Sequence, residues 1–79
     1  DATKGKALEY LANLKGINRE NVIAIGDSYN DISMLQYAGL GVAMGNSPEY
    51  VKSHADYITG INDEDGVAQA IDKFVLERS

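Results

Sequence analysis

Two aspartates set close together are the residues of this sequence best suited to chemistry. Asp27 and Asp31 are four positions apart, and Asp27 follows Gly26 and the apolar run 22–25. Two carboxylates that converge on one small volume repel each other unless a cation lies between them. Mg²⁺ prefers oxygen ligands, including one or two carboxylates, water and often a substrate phosphate. The spacing therefore favours a magnesium site, and the alternative is a turn residue followed by a helix cap.

The segments around this pair alternate between extended and helical patterns. Residues 22–25 form a short apolar run typical of a strand buried on both faces, and residues 40–44 and 57–59 are two further strand candidates. Helices are predicted at residues 4–15, 31–38 and 48–53, and in a final amphipathic segment. The first helix is predicted to pack through Ala7, Leu8, Leu11 and Leu14, and the last through Val67, Ala70, Ile71, Phe74 and Val75.

Capping residues mark the ends of these helices. Thr3 is a possible N-cap and Gly16 a stop for the first helix, while Ser47 is expected to cap a short helix that has Pro48 at its first position. An acidic run precedes the last helix, where it suits the positive end of the helix dipole, and consists of Asp63, Glu64 and Asp65.

Strands that alternate with helices at this spacing predict parallel pairing. The expected fold is an α/β protein, a three-layer α/β/α sandwich with about three strands and four helices. Ligands of such sheets bind beyond the carboxyl ends of the strands. Asp27 lies just after such an end, so the fold class places the acidic loop where a binding site is expected.

Composition excludes several classes of function. The 79 residues carry a net charge of −5, which argues against a nucleic-acid partner because phosphate-backbone affinity comes from clustered Lys and Arg. No apolar run approaches the roughly 20 residues that cross a bilayer, so no membrane role is expected. The sequence contains no cysteine, which excludes disulfides and thiolate metal sites and fits a cytoplasmic location.

Three stretches of the sequence resemble a known family. GDSYNDISML, YAGLGVAMGNSPEYVK and DGVAQAI resemble the Cof-type phosphatases of the haloacid dehalogenase superfamily, and the likeness covers most of the chain. The resemblance implies an enzyme that uses Mg²⁺ to hydrolyse a small phosphorylated metabolite, such as a sugar phosphate, through a phospho-aspartyl intermediate. It also implies a fold of the superfamily's Rossmann-like type.

The resemblance assigns roles to individual residues. It implies that Asp27 binds Mg²⁺ directly, that Asp31 is both catalytic and a metal ligand, directly or through water, and that Asn30 contacts the substrate phosphate. Lys4 matches the family lysine that neutralises the phosphate, with Lys6 as the rival assignment. Ser28 and Asn46 are further candidates for substrate binding, although Asn46 also suits an ordinary turn.

Parts of the family pattern are absent from the 79 residues. The DxD nucleophile motif, the Ser/Thr motif and the cap domain have no counterpart, and the acidic run at residues 63–65 follows no apolar strand. We therefore expect residues 1–79 to be the C-terminal segment of a phosphatase core domain, inactive alone, with an exposed strand edge. That edge would pair with the missing N-terminal segment or with a second copy. The alternatives are a catalytically silent, self-associating module, a phosphotransferase of the same superfamily, and a receiver-like domain.

The single histidine and the five tyrosines complete the sequence-based expectations. His54 is the only histidine and has no second ligand at metal-binding spacing, so it is predicted to lie on the surface. The five tyrosines are scattered and are expected to anchor element faces or to lie on the surface. Tyr29 lies within the acidic loop, which allows it to contact a substrate or a cap domain.

Overall fold

Three strands and four α-helices alternate along the chain in a computed structural model that describes residues 3–60 and 64–78. The strands are β1 (Ile23–Gly26), β2 (Leu40–Ala43) and β3 (Tyr57–Ile58), and the α-helices are α1 (Lys4–Lys15), α2 (Ile32–Tyr37), α3 (Glu49–Lys52) and α4 (Glu64–Arg78). Short 3-10 turns span Arg19–Asn21 and Tyr29–Asp31. The described elements agree with the predicted fold.

The three strands form one parallel sheet in the order β1-β2-β3. Gly26 at the end of β1 is in register with Ala43 at the end of β2, and Ala43 is in register with Ile58 at the end of β3. All three strands therefore end at the same edge of the sheet, which places the loops that follow them side by side. β1 has a strand on one side only among the described residues.

The core lies where α2 and α3 cover the sheet. Ala24 of β1, Leu35 and Ala38 of the α2 region, and Val51 of α3 form one buried cluster, and Val42 of β2 is fully buried. Small residues recur in this core because a four-residue strand and a six-residue helix must approach closely to exclude water. The core thereby holds the N-terminal end of α2 against the tip of β1.

The caps of α1 match the prediction, whereas its packed face does not. The Thr3 Oγ1 accepts a hydrogen bond from the Lys6 N–H, and Gly16 ends the helix with a φ of 70°. The helix packs on α2 through Gly5, Leu8 and Ala12, while Leu11 and Leu14 are 47% and 69% exposed. The predicted packing of Leu8 is therefore confirmed, whereas the predicted packing of Ala7, Leu11 and Leu14, which are exposed, was wrong. The spacing of the leucines does not reveal that Gly5 makes the closest contact of α1 with α2.

Smaller corrections concern the other element boundaries. β1 begins and ends one residue later than predicted, and α2 begins at Ile32 after a 3-10 turn. Pro48 precedes the first residue of α3 with an extended ψ of 149°, and the buried Ser47 Oγ has no hydrogen-bond partner among the described residues, so the predicted Ser47 cap was wrong. In α4, Ala70 is buried but Val75 is 55% exposed. Asp63 lies outside the described residues, and Glu64 begins α4.

Candidate active site

The loop that follows β1 brings the sequence-predicted residues to the carboxyl-terminal edge of the sheet. Asp27 leaves β1 directly, Tyr29–Asp31 form a 3-10 turn, and α2 begins at Ile32. The Ser28 side chain accepts from the Asp31 backbone N–H, and the Asp31 side chain accepts from the Ser28 backbone N–H, which together make a capping box. The loop is therefore held by its own side chains as well as by the two elements that flank it.

Asp31 is the most tightly held side chain of this loop. It is 6% exposed, and its Oδ2 accepts from the backbone N–H of Asp27 at 3.0 Å and from that of Ser28 at 3.2 Å. The Ser28 hydroxyl donates to the same oxygen at 3.2 Å. These contacts satisfy the backbone donors at the start of the turn and leave Oδ1 facing α1.

The Lys4 ammonium occupies that remaining side of Asp31. Lys4 Nζ lies 2.6 Å from Asp31 Oδ1, and the lysine side chain is half exposed while the carboxylate is buried. This Lys4 contact is the main cause that lowers the pKa of Asp31 from 3.8 to about 2. Burial opposes the shift, and the backbone N–H groups of Asp27 and Ser28 and the Ser28 hydroxyl support it. Asp31 is therefore an anion that orients a cation at neutral pH.

A direct contact between α1 and α2 sets the position of Lys4. The Gly5 N–H donates to Ser33 Oγ at 2.9 Å. A Cβ atom at Gly5 would lie 2.6 Å from the backbone oxygen of Ser33 and 2.9 Å from its Cβ, so only glycine allows this approach. Sequence reasoning did not find Ser33, because its partner lies 28 positions away and no local pattern links the two.

Asp27 differs from Asp31 because its carboxylate is exposed. The side chain has no ion-pair partner within residues 3–60 and 64–78, although it lies one residue beyond the tip of β1. An unpaired carboxylate oxygen at a sheet edge fits a hard cation such as Mg²⁺. No group of three or more His, Cys, Asp or Glu side chains suited to a metal is found in the described ranges. These residues therefore fit part of a magnesium coordination shell, which phosphate and water oxygens commonly complete.

The other four candidates take different positions. Asn30 is exposed and lines an open groove together with Lys4. Asn46 is exposed in the turn after β2, at the same edge of the sheet, where the Ser47 N–H donates to the Met44 carbonyl at 2.9 Å. Lys6 is exposed in the first turn of α1 and forms no ion pair with Asp31, so the geometry favours Lys4 over Lys6. Ser28 is partly exposed, and its side chain takes part in the capping box.

His54 is not the plain surface residue that the sequence predicted. Its Nδ1 lies 2.8 Å from the Gln36 Nε2, and its ring meets Tyr50 edge-on with centroids 4.9 Å apart. The His54 Nε2 is buried and has no hydrogen-bond partner among the described residues. The histidine thus connects α2 to α3, a contact that sequence spacing alone does not show.

Comparison with known proteins identifies the family. A family model described as haloacid dehalogenase-like hydrolase matches residues 1–71. The chain belongs to this family. The resemblance to haloacid dehalogenase phosphatases stated from the motifs is confirmed.

Relatives and solved structures agree with this family assignment. The phosphoglycolate phosphatase of Methanobrevibacter smithii is 51% identical over 92% of this chain and 31% of its own length. The 5-amino-6-(5-phospho-D-ribitylamino)uracil phosphatase of Bacillus subtilis is 56% identical over 92% of this chain and 29% of its own length. A haloacid dehalogenase-like hydrolase from Bacteroides thetaiotaomicron superimposes with a TM-score of 0.80 at 59% identity, covering 90% of this chain and 27% of that structure.

The chain matches only part of the length of each relative. The chain spans about 30% of the length of the curated relatives that it matches. The family and the fold of the matched segment are therefore shown, and the superposition confirms the expected haloacid dehalogenase-type α/β fold. Within the described residues, no helix combines the length and apolar character needed to cross a membrane.

Proposed function

We propose that residues 1–79 supply the lysine and the acidic loop of a Mg²⁺-dependent phosphatase core, which hydrolyses small phosphomonoesters such as sugar phosphates. The supporting observation is the Lys4–Asp31 ion pair of 2.6 Å beside the exposed Asp27, at the edge where the parallel strands end. The relatives named above are phosphatases, which supports the same reaction class. The nucleophilic aspartate of the phospho-aspartyl mechanism would come from outside residues 1–79.

Each side chain has a distinct task in this proposal. Asp27 would hold Mg²⁺ directly through its exposed carboxylate, and Asp31 would hold it directly or through water. When bound, Mg²⁺ supplies positive charge to the phosphoryl oxygens. Lys4, held by Asp31, adds a second positive charge where the phosphate binds. Asn30 donates its amide to a phosphate oxygen, and Ser28 keeps the loop in shape.

Phosphate release from a phosphomonoester, measured with a longer protein that carries the proposed nucleophile segment as well as residues 1–79, tests this proposal. We expect Mg²⁺-dependent release of inorganic phosphate from p-nitrophenyl phosphate by the longer protein, and none by the 79-residue chain alone. Lys4→Met should lower kcat by about 100-fold, because it removes a charge that stabilises the transition state. Asp27→Asn should raise the Mg²⁺ concentration needed for half-maximal activity.

Lys6→Met provides the matched control for the lysine. Lys6 has the same charge and lies in the same turn of α1, but it does not contact Asp31, so its removal should leave kcat within about twofold. Full activity in Asp27→Asn would refute the metal assignment. Equal losses in Lys4→Met and Lys6→Met would refute the role of the ion pair. Transfer of the phosphoryl group to an acceptor, without phosphate release, would favour the phosphotransferase alternative.

Self-association is a second candidate function, favoured by the open side of β1. This strand pairs only with β2 among the described residues, and its Ile25 side chain is 41% exposed. Unpaired strand edges pair readily with other chains. The same edge would receive either an N-terminal segment of the phosphatase core or a second copy of this chain.

A further inference from the structure

An open groove of about 680 Å³ lies beside the proposed phosphate site. Lys4 and Asn30, which the proposed function uses, line it together with Tyr29, Tyr50, Ser33 and Gln36. The groove has the size of a small-molecule site. Its aromatic wall has no role in the chemistry assigned to Lys4 and Asn30.

The aromatic wall consists of two exposed rings from different elements. Tyr29 of the acidic loop is 61% exposed and Tyr50 of α3 is 60% exposed. Their ring centroids are 6.2 Å apart and their planes differ by 29°, a stacked arrangement. Two large rings left together in water form an apolar patch that favours contact with another flat group. Asn30 follows Tyr29 directly in the sequence and lines the same groove.

The second ring of this pair, Tyr50, also contacts His54. His54 meets Tyr50 edge-on at 4.9 Å, and the Gln36 side chain on α2 fixes the His54 ring at 2.8 Å. The His54 Nε2 is buried without a hydrogen-bond partner in the described ranges, which is unfavourable for stability. Stability alone therefore does not explain why this histidine supports Tyr50.

We propose that Tyr29 and Tyr50 form a stacking subsite for the flat ring of a phosphorylated substrate. This proposal rests on the proposed function, because the phosphate of that substrate would lie against Lys4 and Asn30. The ring would stack on the tyrosines while the phosphate meets the only cationic side chain that lines the groove within the described residues. The substrate class is a phosphomonoester that carries an aromatic or heteroaromatic ring, rather than a short acyclic one.

Family membership does not determine this choice. One relative is named for a phosphorylated uracil derivative, which contains a ring, and another for phosphoglycolate, which contains none. The exposed tyrosine pair favours the ring-bearing class for this chain. The distinction is testable because stacking affects one class of substrate and leaves the other unchanged.

The first experiment compares the hydrolysis of two esters by the longer protein that carries the proposed nucleophile segment. Uridine 5′-monophosphate provides a ring and glycerol 3-phosphate does not. Tyr29→Leu and Tyr50→Leu should each raise KM for uridine 5′-monophosphate about fivefold, in line with the usual strength of aromatic pairing. KM for glycerol 3-phosphate should not change, and Tyr29→Phe should restore the wild-type KM. Tyr10→Leu is the matched control, because Tyr10 is 70% exposed on α1 and does not line the groove.

The second experiment separates the subsite from hydrolysis. Each ester is titrated into the 79-residue chain, and the ring-proton resonances of Tyr29 and Tyr50 are followed by NMR. Ring-current shifts with uridine 5′-monophosphate, absent with glycerol 3-phosphate and with inorganic phosphate, support the subsite even where the protein proves not to be a phosphatase.

Two results would overturn the proposal. Equal rises in KM for both esters would mean that the tyrosines support the fold or contact a neighbouring domain. Tyrosine shifts that are the same for all three ligands would mean that no ring stacks there.

Discussion

Removing the charge of Asp31 should reduce the stability of this chain by an amount that depends on pH. The structure gives the carboxylate one charged partner, Lys4 at 2.6 Å, and two backbone donors at 3.0 and 3.2 Å. Lys4 is the main cause that places the pKa of Asp31 at about 2 instead of 3.8. Protonation of the carboxylate or its replacement by an amide weakens all of these contacts together.

The size and the sign of the effect follow from this difference in pKa. A carboxyl whose pKa is lower in the folded state stabilises the fold fully above the unfolded pKa and loses that contribution as pH falls through the folded pKa. The shift from 3.8 to about 2 corresponds to a total of about 2 kcal/mol. About 1 kcal/mol of this stabilisation is lost by pH 3.

Urea unfolding, followed by far-ultraviolet circular dichroism in metal-free buffer, measures the effect. The free energy of unfolding is compared at pH 5 and pH 3 for wild type, Asp31→Asn and Asp72→Asn. Wild type should exceed Asp31→Asn in free energy of unfolding by about 1 kcal/mol less at pH 3 than at pH 5, because only wild type has the carboxylate to protonate. Asp72 is exposed on α4 and provides the control.

If the difference in free energy of unfolding between wild type and Asp31→Asn is the same at pH 5 and pH 3, the reasoning is refuted. The folded state would then not lower the pKa of Asp31. An equal narrowing in Asp72→Asn would show that the effect is one of overall charge. Lys4→Met adds an internal check, because it removes the main cause of the shift. In the Lys4→Met protein, Asp31→Asn should change the pH dependence of the free energy of unfolding by clearly less than it does in wild type.

Two further predictions concern packing and the open strand edge. Gly5→Ala should lower the free energy of unfolding by about 1–3 kcal/mol in urea titration, because the added Cβ would overlap the backbone of Ser33. Gly16→Ala is the control, because its Cβ would meet nothing within 4 Å although the residue has a positive φ of 70°. It should lower the free energy of unfolding by only about 1 kcal/mol. An equal loss at both sites would contradict the close packing of α1 on α2. The isolated chain should sediment above monomer mass in a concentration series, and Ile25→Lys should restore the monomer by placing a charge on the β1 edge. A monomeric wild type would contradict an edge available for pairing.

Local patterns were sufficient to predict the order of the elements. The apolar run before Asp27, the Thr3 cap and the Gly16 stop each depend on residues within one or two turns of chain, so their signals can be read in sequence. The fold class follows from the alternation of strands and helices. Boundaries shifted by a residue, as at β1 and α2, because hydrogen-bond geometry rather than residue type sets the final position. The prediction of a Ser47 cap was wrong because the Pro48 backbone is extended and α3 begins only at Glu49.

By itself, the sequence determined the family, the parallel α/β order and the acidic loop with its two aspartates. The tertiary structure decided how these residues share their tasks. Asp31 is buried and paired with Lys4, whereas Asp27 is exposed, although both are aspartates in the same loop. It also paired Lys4, rather than Lys6, with Asp31, placed Ser33 against Gly5, and stacked Tyr29 on Tyr50. Each of these contacts joins residues from separate elements, so it arises only when packing brings the elements together.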